Sequence, residues 1–383
     1  MIPRTIYGEE HELFRDSVRR FVDTEIAPHH AQWEKEGAVP AALWRKAGAA
    51  GLLACTVPEE YGGPGGSFLH NAIVIEELGR VGAMGPAFPQ HAIVIAPYIM
   101  KYGSEEQRKY WLPRMVSGEA ISAIAMTEPD TGSDLQNIKT RAIRDGDDYV
   151  INGQKMFISN GQIGNLILVA CKTDPEAKGS KGTTMIIVEG DRKGLVRGRN
   201  LDKLGMKAQD TSELFFEDLR VPVTNRVGEE GKGFAYMMTQ LPEERLMIGV
   251  RSVAIMEVAL QWTIDYTNQR KAFGQRIADF QNSKFQLADV KSDIVVARAF
   301  VDRCIELHMA GKLDATMGAV IKLHCAELLN RVLDRCLQLH GGYGYMWEFP
   351  ICRAFADARV TRIAGGSSEI MRELISRTLE PSA

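Results

Sequence analysis

Three stretches of this 383-residue chain carry side chains suited to holding a phosphate or a flat polar ligand. Residues 125–134 read Ala-Met-Thr-Glu-Pro-Asp-Thr-Gly-Ser-Asp. Met126 and Thr127 lead into a bend fixed by Pro129, and Gly132 and Ser133 follow. Hydroxyls and free N–H groups therefore share one loop. Residues 153–160 read Gly-Gln-Lys-Met-Phe-Ile-Ser-Asn. In a strand, Phe157 and Ser159, on either side of Ile158, point to one face, where a ring stacks on a ligand while a hydroxyl bonds its edge. Taken alone, Phe157 reads as a core residue. Residues 270–281 bring Arg270, Phe273, Phe280 and Gln281 to a helix end; alone, this is a solvated basic terminus.

Other segments have plain structural readings. Gln338, Gly341 and Gly342 close a helix as a C-cap. Gly365 and Gly366 precede Ser367 and Glu369, a loop followed by a helix N-cap. Leu241, Pro242, Glu243, Glu244 and Arg245 place acids where they complement a helix N-terminus, with Pro242 starting or kinking the helix. The glycines at 341–344 follow a helix rather than a strand, which excludes a dinucleotide loop, and those at 62–66 lack the Lys-Ser/Thr of a phosphate cradle. There is no G-x-S-x-G elbow. Eight histidines without ligand spacing and six scattered cysteines argue against a metal centre and for reduced thiols.

The elements that must position these residues come in three textures. Apolar residues from Leu13 to Ile26 recur at helical spacing and stop at Ala27-Pro28; Pro40 opens a second helix, and Ser104 with Gln107 forms a capping box. After about residue 120, short apolar runs at 121–126, 149–151, 155–158, 166–171, 184–188 and 214–216 alternate with turn dipeptides, a small β domain. Helical periodicity returns from Phe234, with long stretches to Gln269, at 285–308 and at 317–340, and four long helices make a bundle. The expected fold is α+β and multidomain: an N-terminal helical domain (1–122), a central small β-barrel or sandwich (123–232) and a C-terminal four-helix bundle (233–383).

Composition narrows the function. Lys+Arg 46 against Asp+Glu 49 leaves a net charge of −3, and the pI of about 6.3 speaks against a nucleic-acid binder. Uninterrupted apolar runs fall far short of a membrane span, and the N-terminus lacks a signal-peptide core, so a bacterial-type cytoplasmic protein is expected.

Jointly and in this order, the motifs resemble the acyl-CoA dehydrogenase family over essentially the whole chain. The long-chain branch is nearest, through residues 241–246 (Leu-Pro-Glu-Glu-Arg-Leu) and 339–347 (Leu-His-Gly-Gly-Tyr-Gly-Tyr-Met-Trp). The resemblance implies FAD between the β domain and the bundle, extending across a dimer interface. Met126, Thr127, Gly132, Ser133, Phe157, Ile158 and Ser159 would hold the isoalloxazine and adjoining phosphate. Arg270, Phe273, Phe280, Gln281, Gln338, Gly341 and Gly342 would grip the adenosine-diphosphate half from the neighbouring subunit, with Ser367 and Glu369 closing on the flavin. Substrate contacts would come from Ser133, Leu241, Arg245, Gly365 and Gly366.

The implied reaction removes the α-proton of a medium- or long-chain acyl-CoA and passes the β-hydride to flavin N5, giving the trans-2-enoyl-CoA. Many members carry the catalytic carboxylate where this chain has Gly365. The long-chain and isovaleryl branches place it before an Arg in a bundle helix, which makes Glu244 the expected base and Glu243 an exposed neighbour. A homotetramer built as a dimer of dimers and electron-transferring flavoprotein as acceptor are also implied. The other readings are an isovaleryl-type dehydrogenase, an oxidase, or an inactive DNA-associating relative; the charge and the retained Glu244 oppose the last.

Overall fold

The computed structural model describes residues 2–177 and 179–379. Six helices come first: α1 (Glu9–Phe21), α2 (His30–Glu36), α3 (Ala41–Ala49), α4 (Phe68–Arg80), α5 (Ala96–Tyr102) and α6 (Glu105–Ser117). A π-helical turn, Val22–Ile26, prolongs α1 towards Pro28, so the apolar face continues to Ile26 as its spacing requires. Ser104 accepts from the Gln107 N–H while Gln107 reaches back, closing the capping box at the start of α6.

Eight strands follow in one sheet: β1 (Ser122–Ala125), β2 (Arg141–Asp145), β3 (Asp148–Ser159), β4 (Leu166–Lys172), β5 (Thr183–Glu189), β6 (Leu195–Asn200), β7 (Thr211–Pro222) and β8 (Arg226–Val227). Their order is β6-β7-β3-β2-β4-β5-β8, with β1 parallel to β4. Period-two residues from well-separated strands, such as Ile186 and Val188 on β5 and Leu219 and Val221 on β7, share one core with Tyr149 and Ile151. The sheet therefore curls around its own inner face. Leu166, Leu168, Met185 and Ile187 face the other way into the main helical core. Burial on both faces explains why β4 and β5 read as unbroken apolar runs. The two runs expected at 149–151 and 155–158 are one strand, β3, with register shifts after Ile151 and after Lys155.

Beyond the sheet lie α7 (Gly233–Gln269), the short strands β9 (Lys271–Ala272) and β10 (Gln275–Arg276), α8 (Gln281–Met309), α9 (Ala315–His340), α10 (Pro350–Ala358) and α11 (Ser368–Ser376). Among the described residues three helices of the C-terminal helical domain are long; glycines at 341–344 and a turn at 359–367 break the remaining chain into short helices. Pro242 neither starts nor ends α7 but lies inside it, since the helix begins at Gly233. α7 is the central element. A Cβ on Gly249 would come 2.7 Å from Ile321 Cγ1, so glycine is what allows α7 and α9 to pack so closely. By length and composition α7 could cross a membrane (mean hydropathy 1.3), which a search for uninterrupted apolar runs misses. However, 67% of that stretch is buried inside the protein, as expected of a core helix.

Candidate active site

Glu244 and Arg245 sit one third of the way along α7, well past its N-terminus, so complementing a helix end does not account for them. Glu244 is 7% exposed and its Oε1 has no hydrogen-bond partner. Burial drives its carboxyl up to about 8, against the pull of the Arg245 guanidinium, with Glu243 adding to the rise. Tyr98 faces it with an unpaired buried hydroxyl. Gln240, one turn earlier on the same face, accepts from Lys101 Nζ at 2.8 Å and leaves its Nε2 unpaired. Unmet buried polar atoms gathered at one place single it out as a candidate site.

Glu243 is not the exposed neighbour expected. Its side chain is 16% exposed, lies 3.8 Å from His308 Nε2, and burial lifts its carboxyl to about 6. Leu241 is half-buried on the same turn.

The 363–367 loop approaches α7 from the other side. Gly365 (φ +69°) and Gly366 (φ +91°) lie in the left-handed region that favours glycine. Lys322, fully buried on α9, donates from Nζ to the Gly366 carbonyl, and a Cβ on Gly366 would lie 3.9 Å from Arg245 Nη2. Burial, with Arg245 nearby, lowers the Lys322 ammonium to about 8. Ser367 is the α11 N-cap, accepting from the Ile370 N–H at 3.3 Å, and Glu369 is exposed beside Arg372.

The first two sequence-predicted stretches do come together. The Met156 N–H donates to the Thr127 carbonyl at 2.9 Å, and Lys155 Nζ bonds both the Met126 carbonyl (2.9 Å) and Glu128 Oε1 (2.8 Å). Glu128 also accepts from the Lys139 and Thr140 N–H groups, which fixes the loop that ends in the exposed Gly132 and Ser133. Lys155 keeps the period of the buried Tyr149 and Ile151, and the bulge after it turns Ile158 inward as well. Phe157 (φ +62°) is left 63% exposed, not core, with Ser159 half-buried beside it. Ile158 offers the outer face only its backbone, because its side chain belongs to the sheet's core.

The third stretch forms a separate cluster. β9 and β10 make a two-residue hairpin with Phe273 (φ +53°) and Gly274 (φ +81°) at its tip, as a type I′ turn demands. Phe273 is 96% exposed and meets Phe280 edge-on, with Gln281 opening α8. The Arg270 guanidinium lies over the Tyr343 ring, and Tyr266 stacks on His340, which ties this hairpin to Gln338, Gly341 and Gly342 at the end of α9. No hydrogen bond or ring contact among the described residues joins this cluster to Thr127, Phe157 or Ser159.

Lys155, Glu128 and Lys322 were not found by sequence reasoning. The one available signal is that Lys155 shares the two-residue period of Tyr149 and Ile151, interrupted by the polar Asn152-Gly153-Gln154. Among the described residues no His, Cys, Asp or Glu group is arranged for a metal, and all six cysteines are free.

A three-domain oxidoreductase is the class that this order of helices, curled sheet and bundle defines, and the comparisons agree. Acyl-CoA dehydrogenase N-terminal, middle and C-terminal domains match residues 8–119, 123–219 and 231–380. The mitochondrial long-chain specific acyl-CoA dehydrogenase of Sus scrofa is 48% identical over 98% of this chain and 88% of its own length. The crystal structure of acyl-CoA dehydrogenase from Geobacillus kaustophilus superposes with a TM-score of 0.97 at 46% identity, covering 99% of this chain and all of the other. That of a glutaryl-CoA dehydrogenase from Mycobacterium smegmatis in complex with FADH2 gives 0.90 at 27%, covering 99% of this chain and 96% of the other. The chain belongs to the acyl-CoA dehydrogenase family. It is a flavoprotein oxidoreductase whose cofactor is FAD.

Proposed function

We propose that the protein dehydrogenates a medium- or long-chain fatty acyl-CoA between its α and β carbons, with Glu244 as the base that takes the α-proton. The observation that carries this is the buried Glu244 carboxylate, unpaired at Oε1 and raised to about 8, where a weak carbon acid needs a strong, dry base. Gly365 offers no carboxylate, and its position against α7 supports a role for its backbone N–H in polarising the thioester carbonyl. Arg245 and Leu241 flank the base, and Ser133 lies on the exposed loop towards the CoA side.

The residues present fit the cofactor. Phe157 is an exposed ring held at a strained backbone angle, with Ser159 and Thr127 beside it to bond the edge of a planar heterocycle. When bound there, FAD supplies the hydride acceptor. Gly132 and Ser133 lie on the same loop as Thr127, and Ser367 and Glu369, at the start of α11, are the residues proposed to close on the flavin. Arg270, Phe273, Phe280, Gln281, Gln338, Gly341 and Gly342 form the second, unconnected cluster, which suits the distal half of a cofactor bound to a second copy of the chain. A dimer is then the minimum unit and a homotetramer the proposed assembly, with electron-transferring flavoprotein as electron acceptor.

Anaerobic titration of the holoprotein with acyl-CoA esters of increasing length, following flavin bleaching, tests the reading. Glu244→Gln is expected to keep bound FAD but abolish bleaching, and bleaching at a near-normal rate would rule Glu244 out as base.

A further inference from the structure

The turn packed against Ile248 and Arg245 of α7 has few ties of its own. Gly365 and Gly366 sit at φ +69° and +91°, and glycine loses more backbone freedom on ordering than any other residue. Before them, the Ile363 and Ala364 N–H groups donate to the Val360 carbonyl at 2.8 and 2.9 Å; after them, Ser367 caps α11. Between those anchors neither glycine N–H has a hydrogen-bond acceptor among the described residues. The single hydrogen bond to the pair is the one that Lys322 Nζ donates to the Gly366 carbonyl.

Lys322 is itself firmly placed. It is fully buried on α9, and its neighbour Ile321 packs 2.7 Å from where a Cβ on Gly249 of α7 would be. The acids that act on it are engaged elsewhere: Glu327 with Arg362 (3.0 Å) and Arg372 (3.5 Å), and Glu369 with Arg372 (3.7 Å). On the side of α7 stands a second cation. Arg245 is 4% exposed with its Nε unpaired, and its Nη2 lies 3.9 Å from where a Cβ on Gly366 would be. An ammonium buried without a carboxylate partner is costly, and an apolar side chain would serve the packing of α9 better. What the lysine adds is one charge-assisted bond to one carbonyl of the turn.

We propose that Lys322 is a positioning residue for the dehydrogenation: by holding the Gly366 carbonyl it keeps the Gly365 N–H on the thioester oxygen while Glu244 removes the α-proton. The inference rests on Glu244 as the base and on the Gly365 N–H as the donor. The link between them runs through packed backbone. α7 carries Glu244, Gly249 of α7 lets α9 lie against it, and Lys322 of α9 sets the turn. In the step itself the proton passes from the α carbon to a Glu244 oxygen, and the electron pair left behind spreads on to the thioester oxygen. Lys322 exchanges no proton. Without its tether the two glycines drift, and a displacement of about 1 Å is enough to cost roughly a hundredfold in rate.

The test uses the holoenzyme as wild type, Lys322→Met and Lys322→Arg, with two ligands. One is the acyl-CoA that bleaches the flavin fastest, followed by stopped-flow. The other is its analogue with sulfur in place of the β-CH2, which can lose an α-proton but has no β-hydride to give. The pH midpoint of the long-wavelength band that its enolate forms against the flavin reads how well the site stabilises that enolate. Lys322→Met is expected to slow flavin reduction about a hundredfold, to change substrate affinity by less than about threefold, and to raise the midpoint by at least about one unit. Lys322→Arg is expected to recover most of both effects. An unchanged rate overturns the proposal, and so does slow reduction with an unmoved midpoint, which is what a merely structural lysine would give. Should Lys322→Met fail to fold or to hold FAD, Lys322→Gln, a neutral N–H donor of slightly shorter reach, carries the same test with the same two outcomes. Absence of the band in wild type, or its persistence in Glu244→Gln, would instead overturn the reading on which the proposal rests, so the failures are distinct.

Discussion

Ile248 Cδ1 stands 2.7 Å from the point a Cβ on Gly365 would occupy. The loop that lacks a carboxylate is therefore also closed to one, by φ +69° at Gly365 and by this side chain. Moving the base back to the loop is expected to fail. Glu244→Gln combined with Gly365→Glu should stay at the residual rate of Glu244→Gln alone in stopped-flow flavin reduction. Adding Ile248→Ala, which clears the space, should restore a measurable fraction.

The raised Glu244 carboxyl sets a pH profile. As a base it acts only when ionised, so the rate of flavin reduction should rise with pH and level off above about 8. Single-turnover measurements from pH 6 to 9.5 would show this slope. A flat profile would place the titrating base elsewhere.

The same shift has a stability consequence of the opposite sign. The native state holds the Glu244 proton more tightly than the unfolded chain does. The stabilisation from the neutral carboxyl is complete below about 4.5 and is lost as pH rises through about 8. Glu244→Gln, which is neutral throughout, should melt at nearly the wild-type temperature at pH 5. At pH 9 it should be more stable, by an amount on the order of a few kcal/mol.

Lys155 is expected to matter more for holding the cofactor than for turnover chemistry. Lys155→Met leaves the buried Glu128 carboxylate without its counter-charge, held only by the Lys139 and Thr140 N–H groups, and should cost on the order of 3 kcal/mol. FAD retention on dialysis should fall with it. Pairing it with Glu128→Gln, which removes the stranded charge, should recover part of the melting temperature.

Phe273, nearly fully exposed at a hairpin tip, is expected to be covered by a second copy of the chain. Phe273→Asp should lower the assembly state in sedimentation and loosen FAD in the same step. A variant that kept the native assembly would remove the hairpin from the interface.

Sequence pattern was most informative where one periodicity ran uninterrupted. α9 and the capping box of α6 could be read directly, because apolar spacing and cap chemistry agreed. It was least informative where the backbone changed phase. β3 shifts register after Ile151 and after Lys155: the polar Asn152-Gly153-Gln154 at the first shift makes one strand read as two, and the second leaves Phe157 outside while Ile158 turns inward. Glu243 was misjudged because Pro242 resembles a helix start, whereas the helix begins nine residues earlier.

α7 carries Glu244 and Ile248 while its other faces are locked into the molecule's core, down to the hydrogen at Gly249 that lets α9 approach. A helix so committed is a poor place for gradual adaptation. Lineages that retune such an enzyme to new substrates would be expected to vary the 363–367 loop, where a changed side chain reshapes the space against α7 without unsettling the bundle.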